Sequence, residues 1–338
     1  MVGPNYGDFH IQRRWTQNAI RVLDLAQDSN VVLRLAVREF VPGAEELRSD
    51  DTRGNKMYGI PWAITDPEEA TKAVNLYIDR CIGTYLVTIL DDSNHLVWDM
   101  FHWAMRLSTF PEPNQLLSDV IRLWVVCRFL EGRWRCVGVD TLGAEGLSHW
   151  YDNEPLVQVP PFVNYQMAAL FTERILQPLR VTVLKQLQDL ILANETRNWF
   201  PITLSVFILL HNYEMQCRFH RAFAMRRGFS VRFVEMPIIR AIHSGAKTIL
   251  AHFHYACKGQ RPFSMDHDWN SDEAKRMAHL DDEQIGFLMG YQYQVESKAP
   301  TLRSVSLTHD YEEEYWFVGQ MFDADWVPRQ TNEYSPPA

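Results

Sequence analysis

Residues 201–228 read PITLSVFILLHNYEMQCRFHRAFAMRRG, and through the first half of that run apolar side chains fall on every face of a helix. A helix that is hydrophobic all round in a globular protein must be packed by neighbours on all sides. The run therefore predicts a large helical assembly with one central, buried helix. A chain of 338 residues, 46% hydrophobic and 12% aromatic, has the apolar surface to build it, and that composition excludes disorder over most of the length. The apolar part of the run, 202–210, is too short to span a bilayer, so no membrane association is expected.

The surrounding segments mostly read as helices. In DPEEATKAVNLYIDRC, Asp66 is placed to cap a helix N-terminus, Pro67 suits the first helical position, and Glu68 and Glu69 suit the positive end of the helix dipole. LLSDVIRLWVVCRFLEG spaces Leu117, Val120, Leu123, Trp124 and Cys127 helically and stops at Gly132. PLVQVPP, at 155–161, is an extended connector, because each proline biases its predecessor away from the helix. Two helices are predicted after it, over about 163–177 and 179–193, divided by Pro178, with Leu184, Leu187 and Ile191 on one face of the second. Ile238, Ile239, Ile242, Ile249, Leu250 and Phe253 form a further amphipathic stripe. Near the N-terminus, Ile20, Leu23 and Leu25 suggest a helix over 15–28, while 30–41 fits a strand or a helix and 43–58 is polar enough for a loop. The expected fold is all-α: a single large bundle-like domain with a central buried helix and few or no strands. A partly mobile segment is expected over 1–60, the helical domain over 61–330, and a disordered tail over 331–338.

The net charge of -9 is unevenly placed. Residues 264–338 hold 5 basic against 15 acidic residues, whereas 1–263 are almost balanced at 28 against 27. Charge runs of this kind usually mark a solvated surface. The five cysteines are separated by 46, 9, 81 and 40 residues, so no close pair suggests a disulfide framework. Buried free thiols suit a reducing compartment, and no signal-like apolar stretch opens the chain, so the nucleus or cytoplasm is expected.

Few motifs carry chemistry. His211, Glu214, Cys217 and His220 recur every three residues on the apolar helix, which lines up metal-capable atoms, but the stripe drifts by about 60° per step and at most two or three could meet one ion. His252 and His254 point apart on a helix. Asp91-Asp92 and Asp281-Asp282 are adjacent carboxylates; the first resembles the aspartate-rich site of isoprenoid cyclases, except that His95 stands where the third carboxylate belongs. The ordinary reading of both pairs is a loop or a helix first turn. No glycine-rich phosphate loop or nucleophile elbow is present, and Cys217 and Cys257 read as buried thiols rather than nucleophiles. The stretch from Arg218 through Arg221, Arg226, Arg227, Arg232 and Arg240 to Lys247, opposed only by Glu235, could meet phosphates or simply serve a helix C-terminus. No catalytic residue, metal or cofactor is assigned.

Five strings taken in order carry a family resemblance: LWVVCRFLEGRWRCVGVDTLG at 123–143, the connector with PPFVNYQ, NWFPITLSVFILLHNYE at 198–214, GAKTILAHFHYACKGQRPF at 245–263, and YEEEYWFVGQMFDADWVPR at 311–329. Together they resemble the C-terminal regulatory domain of fungal zinc-cluster transcription factors, over about 100–329. That family opens with six closely spaced cysteines binding two zinc ions, and these cysteine spacings provide none, so no direct DNA binding by these residues is expected. The resemblance implies either the regulatory part of a longer regulator or a naturally headless relative. It also implies a non-catalytic helical domain that senses a small-molecule effector or a protein partner, either transcription machinery or a second copy. Trp124, Trp199, His211, Glu214, His252 and His254 are the candidate pocket residues, and with Phe263 and Trp326 they are marks of the fold. In the acidic, aromatic end, Glu312, Glu313, Glu314, Trp316, Asp323, Asp325 and Trp326 are the candidate partner contacts, provided that the aromatics are exposed. The competing reading is a headless member recruited as an enzyme or small-molecule-binding protein of a secondary-metabolite pathway.

Overall fold

The computed structural model describes residues 13–27, 29–43, 48–50, 56–58, 60–109, 112–144, 157–257, 260–308, 310–323 and 325–328; the tail expected at 331–338 lies outside them. The chain forms two compact units, one from 1–89 with 125–181 and one from 90–124 with 182–338.

The first unit contains a sheet that the sequence reading did not anticipate. β1 (Arg21–Ala26) and β2 (Leu33–Glu39) pair antiparallel, with Leu23 opposite Leu35 and Leu25 opposite Leu33. β5 (Trp62–Ile64) flanks β2 and β6 (Arg135–Cys136) flanks β1, giving the order β5-β2-β1-β6; β3 (Arg48–Asp50) and β4 (Lys56–Tyr58) make a separate hairpin. The helix expected over 15–28 is therefore a strand, and the expectation of few or no strands holds only in part. The physical reason is the alternation in LRLAVRE, which buries Leu33, Leu35 and Val37 and leaves Arg34 and Ala36 outward, a period of two that matches Leu23 and Leu25 on β1.

Helices dominate the rest. α1 (Pro67–Ile89) starts as expected: Asp66 Oδ1 accepts from the amides of Glu68 at 2.8 Å and Glu69 at 3.2 Å. In the first unit α1 packs beside β2, and Gln27 binds two elements at once, accepting from the Tyr85 hydroxyl at 2.7 Å and donating to the Phe129 carbonyl at 2.8 Å. α4 (Pro161–Ala169) runs through a π-helical stretch, Leu170–Leu176, into α5 (Gln177–Ala193) without a break. Pro178 does not divide two helices. It falls just after the π-helical stretch, inside the continuous helix. Leu184 is also off the buried face, which consists of Val183, Leu187 and Ile191.

The second unit is built around α6 (Trp199–Arg226), and every residue over 202–212 is buried. The central helix is where the sequence predicted it. α2 (His95–Thr109) and α7 (Met236–Ala256) pack on it, together with the first part of α3 (Gln115–Glu131). α8 (Asp272–Ala278) and α9 (Asp282–Thr308) follow, and a 3₁₀ turn, Val318–Phe322, closes the order. The Asp281-Asp282 pair is a helix start: Asp281 Oδ1 accepts from the Gln284 amide at 2.7 Å while Gln284 Oε1 accepts from the Asp281 amide at 3.2 Å, a reciprocal capping box. Asp91 likewise closes a turn by accepting from Ser93.

Candidate functional site

The residues singled out from the sequence fall into several places rather than one cavity. His211 and Trp124 are together in the core, the Trp124 indole N–H donating to His211 Nδ1 at 3.1 Å, with the Phe101 ring edge-on at 5.3 Å from the histidine. Trp199 lies elsewhere, at the start of α6. It lines a cleft of 300 Å³ together with the apolar Leu190, Ile191, Ile202 and Ala256 and the polar Asn194, Thr196 and Arg276. His252 is exposed on α7 and joins none of these groups.

Glu214 is the most informative of the set. It sits on α6, 1% exposed, and its carboxylate holds down the acidic end of the chain. Oε1 accepts from the amides of Phe317 at 2.7 Å and Val318 at 2.8 Å, and Oε2 accepts from the amide of Tyr315 at 3.2 Å. Burial raises its pKa to about 7, against the opposing pull of those amides and of Arg218. Cys217, one turn along, is also buried and its thiol is pushed up by desolvation; Cys257 is pushed up to about 12 for the same reason. Neither thiol has the electropositive, partly open surroundings of a nucleophile. His220 is only half-buried, and among the described residues no three His, Cys, Asp or Glu side chains are grouped to hold a metal ion.

The acidic end is anchored at further points. Arg232 donates to Asp310 at 2.6 Å and to Glu312 at 2.7 Å, with Arg221 also near Glu312 at 3.8 Å. Glu314 accepts from Asn94 at 2.8 Å. His254 meets the Gln320 carbonyl at 3.0 Å and stacks on Trp326 at 5.0 Å, and desolvation lowers its pKa. Trp326 in turn donates to Gln320 Oε1 at 3.1 Å. The partner reading required exposed aromatics, and here the structure differs. Trp316 is 1% exposed, and Tyr311, Tyr315, Phe317, Val318 and Met321 are buried with it. Burying six such side chains contributes about 9–18 kcal/mol at most, comparable to the whole stability of a domain. That magnitude decides the matter: Trp316 belongs to the core, and the segment around it is a structural strap. Glu313, Glu314 and Asp325 remain exposed, Asp325 pairing with Arg261 at 3.1 Å; Asp323 and Trp326 are half-buried, and Glu312 is spent on arginines of the same chain.

Sequence reasoning singled out Glu214 and Arg232 but not the strap that they anchor, because Arg232 reaches Asp310 and Glu312, 78 and 80 positions on, and Glu214 reaches Tyr315, 101 positions on. It also missed the closing role of Gln320, whose side chain carries no distinguishing pattern. The only available signal was charge: an arginine-rich stretch and a carboxylate-rich end in one chain.

Among the described residues no helix is long and apolar enough to cross a membrane. No solved structure matches the chain. A curated relative, the satratoxin biosynthesis SC3 cluster transcription factor SAT20 of Stachybotrys chartarum, is 21% identical over 281 residues, which is 79% of this chain and 39% of the relative. The chain thus spans well under half the length of that protein. The family model for the KpeA transcription factor matches residues 7–321, nearly the whole length of the two units. The chain belongs to the KpeA transcription factor family.

Proposed function

We propose that the chain is the regulatory, non-catalytic part of a fungal transcription regulator, acting in the nucleus through other proteins and without touching DNA itself. The observation that carries this reading, beside the family match, is the use made of Glu214: the one buried carboxylate on the central helix is occupied by three backbone amides of the strap. His211 and the cysteines serve packing in the same way. The exposed carboxylate Glu313 is available to a partner, whereas Asp325 pairs with Arg261 at 3.1 Å. The relative's name ties that protein to a biosynthesis cluster, and genes of that kind are the first targets to examine for this chain.

The test is a reporter assay. The chain is fused to a heterologous DNA-binding domain in a filamentous fungus, with a fluorescent tag. A several-fold change over the DNA-binding domain alone, with nuclear fluorescence, is expected. A fusion that behaves like the bare DNA-binding domain, or a tagged chain kept out of the nucleus, overturns the reading.

A second reading, a small-molecule effector, is favoured by the cleft at Trp199, which combines apolar and polar lining residues in a volume at the lower limit of ligand sites. Native mass spectrometry of the chain purified from a fungal host should then show a retained mass that Ala256→Trp removes. A mass equal to the bare polypeptide from every host argues for the protein-partner reading alone.

A further inference from the structure

α6 ends in a conformation that pushes a large apolar side chain outward. Gly228 takes φ +66°, its amide donates to the Met225 carbonyl at 3.0 Å, and the Phe229 amide donates to Ala224 at 3.1 Å. This is a Schellman end, which a glycine in the left-handed region makes possible. Phe229, 43% exposed, follows Met225, 63% exposed, and the loop and first turn of α7 add Val231 at 49% and Ile238 at 43%. Between and around them stand Arg218, Arg226, Arg227 and Arg240, all exposed, so seven basic residues face one acidic residue over 218–247 of a chain with net charge -9. Scattered exposed apolar residues need no explanation, but four in one short stretch interleaved with like charge do.

We infer that this α6–α7 junction is a docking surface for an acidic amphipathic segment of a partner protein, one in which carboxylates alternate with large apolar side chains. The inference rests on the regulatory reading above and names its partner chemistry. The chain supplies its own example of that recognition. Within the same stretch, Arg232 grips Asp310 and Glu312 while Phe233 packs edge-on to Tyr311 at 6.2 Å, which is an acidic-aromatic segment held by an arginine-aromatic loop. A nucleic-acid backbone would satisfy the arginines and leave Met225, Phe229, Val231 and Ile238 unmatched, so the interleaved pattern favours a peptide over phosphate.

Fluorescence anisotropy on the purified full chain tests this with three probes: a labelled peptide alternating aspartate with leucine and phenylalanine, a polyglutamate of equal length, and a short labelled DNA duplex. The alternating peptide is expected to bind saturably and more tightly than polyglutamate. Phe229→Ser with Met225→Ser, and separately Arg226→Glu with Arg227→Glu, should each weaken it by about tenfold or more, as the loss of one anchor or one pair of charges does at an interface. These side chains are exposed, and unchanged thermal melts will show that the variants remain folded. Four results would overturn the inference: no saturable peptide binding, peptide binding indifferent to Phe229→Ser with Met225→Ser, a duplex bound more tightly than the peptide, or a dimer of the chain that loses its interface with Phe229→Ser. The titration uses only purified protein, so its failure leaves a positive reporter result standing, and a silent reporter with intact peptide binding counts against the regulatory reading alone.

Discussion

Glu214 answers two opposing demands with one carboxyl group. Its burial favours the neutral acid, while three amides and Arg218 favour the anion, and burial prevails, raising the pKa from the ordinary 4.5 to about 7. Below about 4.5 the group is protonated folded and unfolded alike, so it costs nothing. As pH rises from there the unfolded chain ionises first, and the folded protein loses stability until about pH 7. The loss is on the order of 3 kcal/mol. Urea midpoints taken at pH 5 and pH 8 should therefore differ more for the wild-type chain than for Glu214→Gln, and equal differences would show that Glu214 does not titrate in this range. Glu214→Ala should be less stable by several kcal/mol at pH 5, because three buried amides lose their acceptor, and the gap should narrow toward pH 8. The three-residue spacing of His211, Glu214 and Cys217 was visible in the sequence, but their partners were not. Trp124 is 87 positions from His211 and Tyr315 is 101 from Glu214, distances over which no local pattern extends.

Elements whose cues are local could be read from the sequence. Asp66 capping α1 and the all-round apolar face of α6 each depend on residues within one window, and both are found in the fold. The four-stranded sheet was legible only in part, since the alternation over Leu33–Glu39 is local and left 30–41 as a strand or a helix, whereas β6, at Arg135–Cys136, lies far along the chain from its partner β1. Pro178 misled for a related reason: the π-helical stretch before it carries the helix straight into α5. The packing of α6 on α7 offers a test at this scale. A Cβ on Gly245 would lie 3.0 Å from the Tyr213 hydroxyl, the far end of a side chain that can shift. Gly245→Ala gains about 1 kcal/mol of helix propensity, which offsets the crowding, so its thermal midpoint should stay near wild type. Gly245→Leu has no such room and should lower stability by about 1–3 kcal/mol. A Gly245→Leu chain that melts with wild type would show that the two helices are looser than this geometry requires.

At the scale of the whole molecule, the strap ties the acidic end into the second unit's core. A chain ending at Thr308 loses Tyr311, Trp316, Phe317 and their neighbours, and with them a contribution comparable to a domain's entire stability. It should keep helical circular dichroism yet lose the cooperative melt of the second unit and bind hydrophobic dyes; a sharp, wild-type-like transition would show the strap to be dispensable. Two of the central helix's partners also come from opposite sides of it in sequence: α2 is synthesised long before α6, and residues 315–318 about a hundred residues after. On the ribosome, at about 5–20 residues per second, α6 therefore waits roughly 5–20 s for the turn that takes up its carboxylate. During that interval an all-round apolar helix has no complete set of neighbours, and it becomes a natural client for holding chaperones. The carboxylates of the arriving end keep that stretch hydrated until it docks, and its docking ends the vulnerable period.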